Sequence, residues 1–128
     1  MNKNYFKGLL AVIFGAFIVI AFAQSEENNM TVAELKEAIT KNKNLVILDV
    51  RTPAELTSET GKIPGVINIP VQELGDRIGE LEKYKDKEIA VICRSGNRSR
   101  HATKLLLESG YKAKNVAGGM IEWRKSGN

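Results

Sequence analysis

The sequence has few of the residues that build disulfides and metal sites. Its 128 residues include one cysteine, Cys93, and one histidine, His101. One cysteine cannot close an internal disulfide, and one Cys with one His cannot supply the ligands of an ordinary zinc site. The lone thiol is therefore either an intermolecular partner or a free reactive group, and we expect no metal.

The chain also has no charge excess of the kind that indicates a nucleic-acid partner. Its formal net charge is +4, and two of the lysines, Lys3 and Lys7, lie in the first 23 residues. Without that segment the charge is +2, so we predict no nucleic-acid binding. Internal repeats and low-complexity segments are absent from the sequence, and its length suits one small domain.

The first 23 residues differ in kind from the rest. Two lysines precede an uncharged apolar run over residues 8–22, and Ala21-Phe22-Ala23 is a small-x-small cleavage pattern. We predict a signal peptide over 1–23, a polar linker over 24–30 and a periplasmic or secreted domain over 31–128. The alternative is an uncleaved membrane anchor, although the run is shorter than the about 20 residues of a membrane span. Export to an oxidising compartment makes a catalytic role for the free thiol more probable.

Strand and helix patterns alternate along the remaining chain. Apolar runs predict strands within residues 45–48, 65–70, 88–92 and 113–117. Apolar residues at helical spacing predict helices over residues 31–40, 71–81, 98–109 and 120–125, with a helical turn over 53–56. Thr31 and Glu34 form a capping-box pattern at the first helix. The alternation predicts an α/β fold with a mostly parallel central sheet of four to five strands and helices on both faces.

Cys93 follows the strand predicted over 88–92 and precedes a predicted helix. The carboxyl ends of parallel strands are where α/β proteins bind ligands. A helix start presents unpaired N–H groups and a positive dipole end worth up to about 2 kcal/mol, enough to lower a thiol pKa by about one unit. We therefore predict that Cys93 forms a thiolate, the nucleophilic species. The alternative is a buried cysteine that packs as a small hydrophobic residue.

Only positive charge accompanies Cys93. Between residues 89 and 107 there is no Asp or Glu, and there are four cations, Arg94, Arg98, Arg100 and Lys104. This predicts an anionic substrate, with Cys93 as the catalytic residue. The predicted substrate-binding residues are Arg94, Ser95, Gly96, Asn97 and Arg98. Asp49 and Arg51 follow a strand end at the same edge, and we predict that they support the site as an ion pair or by bracing loops. His101 is predicted to be a surface residue of the helix.

Four stretches, in order, resemble the motifs of the single-domain rhodanese family. They are LDVRTPAE (48–55), GKIPGVINI (61–69), CRSGNRS (93–99) and NVAGGMIEW (115–123). The resemblance extends over about residues 31–126. Two positions depart from the family pattern, because Lys62 stands where the family usually has His and Leu56 where it usually has an aromatic residue. These departures leave the expected fold unchanged and affect the rim of the site.

The resemblance implies a sulfurtransferase that needs no metal or organic cofactor. By that resemblance Cys93 takes a sulfane sulfur from a donor such as thiosulfate, becomes a persulfide, and passes the sulfur to cyanide or a thiol. Amides and arginines of the loop would hold the incoming anion and the persulfide. The implied partners are a small anionic sulfur donor and a thiol or cyanide acceptor, an exported redox protein among them. A membrane enters only if the signal is uncleaved.

Two other functions stay open on the sequence. One is a rhodanese module without catalysis, or a persulfide carrier for an exported redox partner. The other is a phosphatase or an arsenate reductase, because related rhodanese-fold enzymes with those activities have a loop one residue longer. Four residues separate Cys93 from Arg98, and this shorter spacing favours sulfur over a tetrahedral phosphate.

Overall fold

The computed structural model describes residues 28–127. These residues form one sheet of five strands, β1 (Asn29–Met30), β2 (Val46–Asp49), β3 (Ile67–Asn68), β4 (Glu88–Ile92) and β5 (Lys112–Val116). The strand order is β1-β5-β4-β2-β3, and every neighbouring pair is parallel. The predicted α/β fold with a parallel sheet is confirmed. The predicted signal peptide, 1–23, and the first part of the predicted linker lie outside the described residues.

Four α-helices lie in this region, three of them between strands and the fourth after β5. They are α1 (Val32–Lys41), α2 (Val71–Arg77), α3 (Asn97–Glu108) and α4 (Gly119–Lys125). Two 3₁₀ helices span Pro53–Thr57 and Ile78–Tyr84. The capping box predicted for α1 is present, because the Thr31 hydroxyl accepts from the N–H of Glu34 and the Glu34 carboxylate accepts from the N–H of Thr31.

The side chains of β4 alternate between two apolar cores on opposite faces of the sheet. Ile89 and Val91 pack with residues of α2 and α3, whereas Ala90 and Ile92 pack with residues of α1 and α4. β4 is therefore covered on both faces, which explains its uninterrupted apolar sequence. Cys93 continues the first of these cores at the carboxyl end of the strand.

Element boundaries differ from the sequence-based expectation at several places. Asn29 and Met30, predicted within the linker, form β1, because they pair with the edge of β5. The helix expected over 71–81 changes to 3₁₀ geometry at Ile78, since i, i+3 apolar spacing is compatible with both helix types. α3 begins at Asn97, one residue earlier than predicted, immediately after Gly96 with its φ of 106°. Between residues 28 and 127 no helix is long and apolar enough to cross a membrane.

Candidate active site

The Cys93 sulfur lies in a small cradle at the carboxyl edge of the sheet, between the end of β4 and the start of α3. The residue is 1% exposed. The backbone N–H of Gly96 donates to Sγ at 3.0 Å, and the Ser99 hydroxyl oxygen lies 3.3 Å from Sγ. The positive end of the α3 dipole adds to these contacts, because the helix begins four residues after the sulfur. The arrangement favours negative charge on the sulfur.

The surroundings act on the acidity of the Cys93 thiol in opposite directions. Burial raises its pKa, because a charged sulfur is costly away from water. The Ser99 hydroxyl and the N–H groups of the loop, those of Ser95 and Gly96 included, lower it. The hydrogen bonds prevail, and the pKa of Cys93 is lower than that of an ordinary thiol. In a cysteine that served only as core filling, burial would raise the pKa instead.

Two glycines allow the chain to close tightly around this loop. Gly96 adopts a φ of 106°, which an L side chain rarely takes. Gly119, with a φ of 56°, begins α4 so close to the loop that a Cβ atom there would lie 2.5 Å from the carbonyl oxygen of Cys93. The N–H of Met120 donates to that same carbonyl, and the N–H of Ile121 donates to the carbonyl of Arg94. The first turn of α4 thus fixes the backbone that carries the nucleophile.

The guanidinium of Arg98 is paired with a carboxylate. Its two terminal nitrogens donate to the two oxygens of Glu55 at 2.7 and 2.8 Å. Hydrogen bonding to Arg98 is the main cause that lowers the pKa of Glu55 to about 2. The same carboxylate accepts the backbone N–H of Thr52 and so closes the first turn of the 3₁₀ helix Pro53–Thr57. Glu55 therefore ties this helix to the start of α3.

Asp49 and Arg51 form a buried ion pair at the end of β2. Both side chains are fully buried, and Arg51 Nη2 donates to Asp49 Oδ2 at 2.7 Å. Nη1 of Arg51 donates to the carbonyl of Glu55 and to the hydroxyl of Thr60, and Nη2 donates also to the carbonyl of Gly61. The pair thereby holds the irregular segment between β2 and β3 against the sheet. It braces this edge, and neither side chain donates to or accepts from Cys93.

The other predicted loop residues face outward. Arg94, Ser95 and Asn97 are exposed, as are His101 and Lys62. Among residues 28–127, Arg94 makes no ion pair. Within the same span, the N–H groups of residues 94, 97 and 98 donate to no backbone carbonyl. An exposed cation and unused amides beside the sulfur are groups that bind a small anion.

Comparison with known proteins identifies the fold and its chemistry. The model of the family described as "Rhodanese-like domain" matches residues 31–126. The chain belongs to this family. The rhodanese-like domain is 32% identical over 101 residues to a sulfurtransferase of Allochromatium vinosum, a match that covers 78% of this chain and 91% of that one. It is 36% identical over 73 residues to the thiosulfate sulfurtransferase PspE of Escherichia coli K12, covering 57% and 68%.

A solved structure agrees with this assignment. The crystal structure of a rhodanese-related protein from Thermoplasma volcanium has a TM-score of 0.70 and 40% identity, and the match covers 78% of this chain and 93% of that chain. The family, the relatives and the neighbouring structure together support sulfurtransferase activity of the rhodanese kind.

Sequence reasoning assigned no role to three residues that shape the site of this rhodanese-like domain. Glu55 binds Arg98, Ser99 contacts the sulfur, and Asn115 accepts a hydrogen bond from Ser99 at 2.6 Å. For Ser99 a local signal existed, because it lies six residues after Cys93 and two after the first residue of α3. The Glu55–Arg98 contact joins residues 43 apart, and only the folded sheet edge reveals it.

One groove of this domain lies away from the sulfur. It has a volume of about 730 Å³ at the amino ends of the strands, and Met30, Ala38 and Leu107 contribute to its lining, whereas Cys93 does not. Within residues 28–127 no cluster of three or more His, Cys, Asp or Glu side chains is placed to hold a metal ion.

Proposed function

We propose that this protein moves a sulfane sulfur from thiosulfate or a persulfide donor to a thiophilic acceptor, cyanide or a thiol, through a persulfide on Cys93. The observation that carries the proposal is the hydrogen bonding of the sulfur by the Gly96 N–H and the Ser99 hydroxyl, with exposed Arg94 beside it. The Gly96 N–H stabilises a thiolate, and the Ser99 hydroxyl adds to this once its hydrogen points to the sulfur. The thiolate is the form that attacks sulfur.

In the first half-reaction the Cys93 thiolate attacks the outer sulfur of thiosulfate. A new S–S bond forms to Sγ, the S–S bond of thiosulfate breaks, and its electron pair leaves with sulfite. The persulfide that remains carries the negative charge on its outer sulfur. Loop amides stabilise that charge as they stabilise the thiolate, because they are fixed before the reaction begins.

In the second half-reaction the acceptor attacks the outer sulfur of the persulfide. With cyanide, a C–S bond forms, thiocyanate leaves, and the electron pair of the broken S–S bond returns to Sγ as thiolate. A thiol acceptor takes the sulfur in the same way and becomes a persulfide itself. The two steps balance without an external oxidant or reductant.

The pairing of Arg98 supports sulfur transfer over phosphate hydrolysis. Bidentate binding of phosphate oxygens takes two parallel N–H groups of a guanidinium, and one such pair of Arg98, on its terminal nitrogens, is bound to Glu55. Arg94 is the exposed cation of the loop, and we propose that it attracts the anionic donor, with the amides of residues 95–98 holding it. Asp49 and Arg51 support this loop edge from below.

The test is formation of sulfite and thiocyanate from thiosulfate and cyanide by the wild type and by Cys93→Ser. We expect turnover by the wild type alone. Intact mass after treatment with thiosulfate alone should rise by one sulfur atom in the wild type and stay unchanged in C93S. Because the chain has one cysteine, the added sulfur has one possible thiol. Persulfide formation without turnover to cyanide would favour the carrier function, and turnover by C93S would refute the mechanism.

We propose further that the domain is exported by the segment 1–23. The lysines, the apolar run and the Ala21-Phe22-Ala23 pattern support it. Cleavage after Ala23 would leave β1, which begins at Asn29, intact. The intact mass of the protein recovered from the periplasmic fraction tests the site, and full-length protein in the membrane fraction would show an uncleaved anchor instead.

A further inference from the structure

A chain of buried hydrogen bonds leads from the Cys93 sulfur to the first strand of the sheet. Ser99 Oγ lies 3.3 Å from Sγ and 2.6 Å from Asn115 Oδ1. Asn115 Nδ2 donates to Asn29 Oδ1 at 3.0 Å. Ser99 is fully buried and Asn115 is 2% exposed, whereas Asn29 lies at the exposed edge strand β1. The chain therefore joins the nucleophile to the surface through three polar side chains.

The number of hydrogens along this chain decides which group donates. Asn115 Oδ1 carries no hydrogen, so the single hydrogen of the Ser99 hydroxyl lies on the line to it. In that arrangement Ser99 has no hydrogen left for sulfur, and the thiol must donate its own S–H to Ser99 Oγ. The geometry as found is thus that of the neutral thiol. A thiolate has no hydrogen to donate, and it needs the Ser99 hydrogen for itself.

We propose that Asn115 is a positioning residue that controls how readily Cys93 loses its proton, by turning its side-chain amide to release or to hold the hydrogen of Ser99. When the thiol gives its proton to solvent, the Ser99 hydroxyl turns its hydrogen to the sulfur. The amide of Asn115 then turns over, so that Nδ2 donates to Ser99 Oγ and Oδ1 accepts from the rotated amide of Asn29. No hydrogen bond of the chain is lost, because each amide offers both a donor and an acceptor.

Several charged groups lie around the sulfur. Those on the elements packed about the loop are Arg94, Arg98 and His101 on the loop and α3, Asp49 and Arg51 after β2, Glu55 on the 3₁₀ helix and Glu122 on α4. Arg98 and Glu55 form a pair, as do Arg51 and Asp49, and the pKa of Glu55 is about 2. Exposed His101 is removed as a variable by including His101→Gln in each protein tested.

Ultraviolet absorbance of the thiolate, followed against pH, measures the ionisation of the one cysteine directly. Asn115→Asp keeps the shape of the side chain, but its carboxylate can only accept hydrogen bonds and so holds the hydrogen of Ser99. We therefore expect the midpoint of the Cys93 titration to rise by about one pH unit. Asn115→Leu has a similar shape and cannot accept, so Ser99 is left to the sulfur, and the midpoint should equal or fall below that of the wild type. A merely structural role would move both variants in the same direction.

Two further comparisons separate the hydrogen-bond chain from the charge of the new carboxylate. In a Ser99→Ala background the rise caused by N115D should shrink to less than half. Asn29→Asp, at an exposed position, can only accept from Asn115 Nδ2; it fixes the Asn115 amide in its thiol orientation and should raise the midpoint of the Cys93 titration. Asn28→Asp places the same charge on the neighbouring exposed residue and should leave the midpoint of the Cys93 titration unchanged. Thr103→Val removes a buried hydroxyl that donates to the carbonyl of Ser99, and it should lower stability alone.

The inference rests on the proposed function only for the use of the thiolate, and the titration needs no sulfur donor. It is overturned if N115D and N115L shift the midpoint alike, if the N115D shift is undiminished in S99A, or if N29D and N28D behave alike. None of these results would bear on sulfur transfer by Cys93. Conversely, a protein that shows the expected titration midpoints but forms no persulfide would refute the proposed function and leave the control by Asn115 standing.

Discussion

The contact between Glu55 and Arg98 gives the most sharply defined prediction. Replacing Glu55 by Gln removes the negative charge but keeps an oxygen to accept the Thr52 N–H at the start of the 3₁₀ helix. Hydrogen bonds from Arg98 are the main cause of the fall in the Glu55 pKa from 4.5 to about 2. That fall corresponds to about 3 kcal/mol, at about 1.4 kcal/mol for each pKa unit.

Water reduces the expected effect. The side chains of Arg98 and Glu55 are 33% and 27% exposed, so solvent screens the pair and we expect E55Q to lose about 1–2 kcal/mol of unfolding free energy at pH 7. The Glu55 pKa is lowered by folding, so its contribution is complete above the unfolded value near 4.5 and disappears as the pH falls through about 2. The difference between wild type and E55Q should therefore narrow between these two pH values.

Urea unfolding at a series of pH values measures this difference. The matched control is Glu59→Gln, which removes the same charge from an exposed residue of the same segment that makes no ion pair within residues 28–127. E59Q should stay within about 0.5 kcal/mol of the wild type. Equal stability of E55Q and E59Q at pH 7, or an E55Q deficit that is the same at pH 7 and near pH 2, would refute the reasoning.

Three further predictions follow from the site. Arg51→Met leaves the buried Asp49 carboxylate without its partner and should cost about 3–5 kcal/mol in urea unfolding. Gly119→Ala places a Cβ against the Cys93 carbonyl at a φ of 56°. It should lower the free energy of unfolding by more than about 2 kcal/mol and slow thiocyanate formation. The control is Gly75→Ala in α2, where a Cβ meets nothing, and it should raise the free energy of unfolding by about 0.5–1 kcal/mol. Hydrogen bonds outweigh burial and lower the pKa of Cys93. The rate of sulfur transfer at saturating thiosulfate should therefore persist below the pKa of an ordinary thiol and fall as the pH drops through the lowered pKa. A midpoint of the rate profile above the pKa of an ordinary thiol would contradict this prediction.

The sequence was informative where the controlling interactions are local. The apolar run of 88–92 and the glycine-containing loop after Cys93 predicted β4, the turn and α3, because each of these signals lies within a few consecutive residues. The two-residue strand β1 carries no periodicity of its own and exists only by pairing with β5. The change to 3₁₀ geometry at Ile78 likewise leaves no mark on the apolar spacing.

The site shows the same limit. Cys93 and its loop follow from one stretch of sequence, and the charge of that stretch suggested that Arg98 faces a substrate. The folded chain pairs Arg98 with Glu55, because the segment after β2 returns to the same edge of the sheet. That Arg98 also contacts substrate stays a prediction. The buried side chain of Asn115 carries no local pattern, since its partners Ser99 and Asn29 lie on another helix and another strand.

The position of β1 has a consequence for the order in which this protein folds. β1 begins at Asn29 and pairs with β5, so Asn29 and Asn115 meet across 86 residues of chain. Closing so long a loop is slow compared with local helix formation, because its entropy must be lost before the contact forms. The sheet is therefore completed only after residue 116 has been synthesised. The export proposed for this chain would benefit from such a delay, because β1 has no partner until β5 is made.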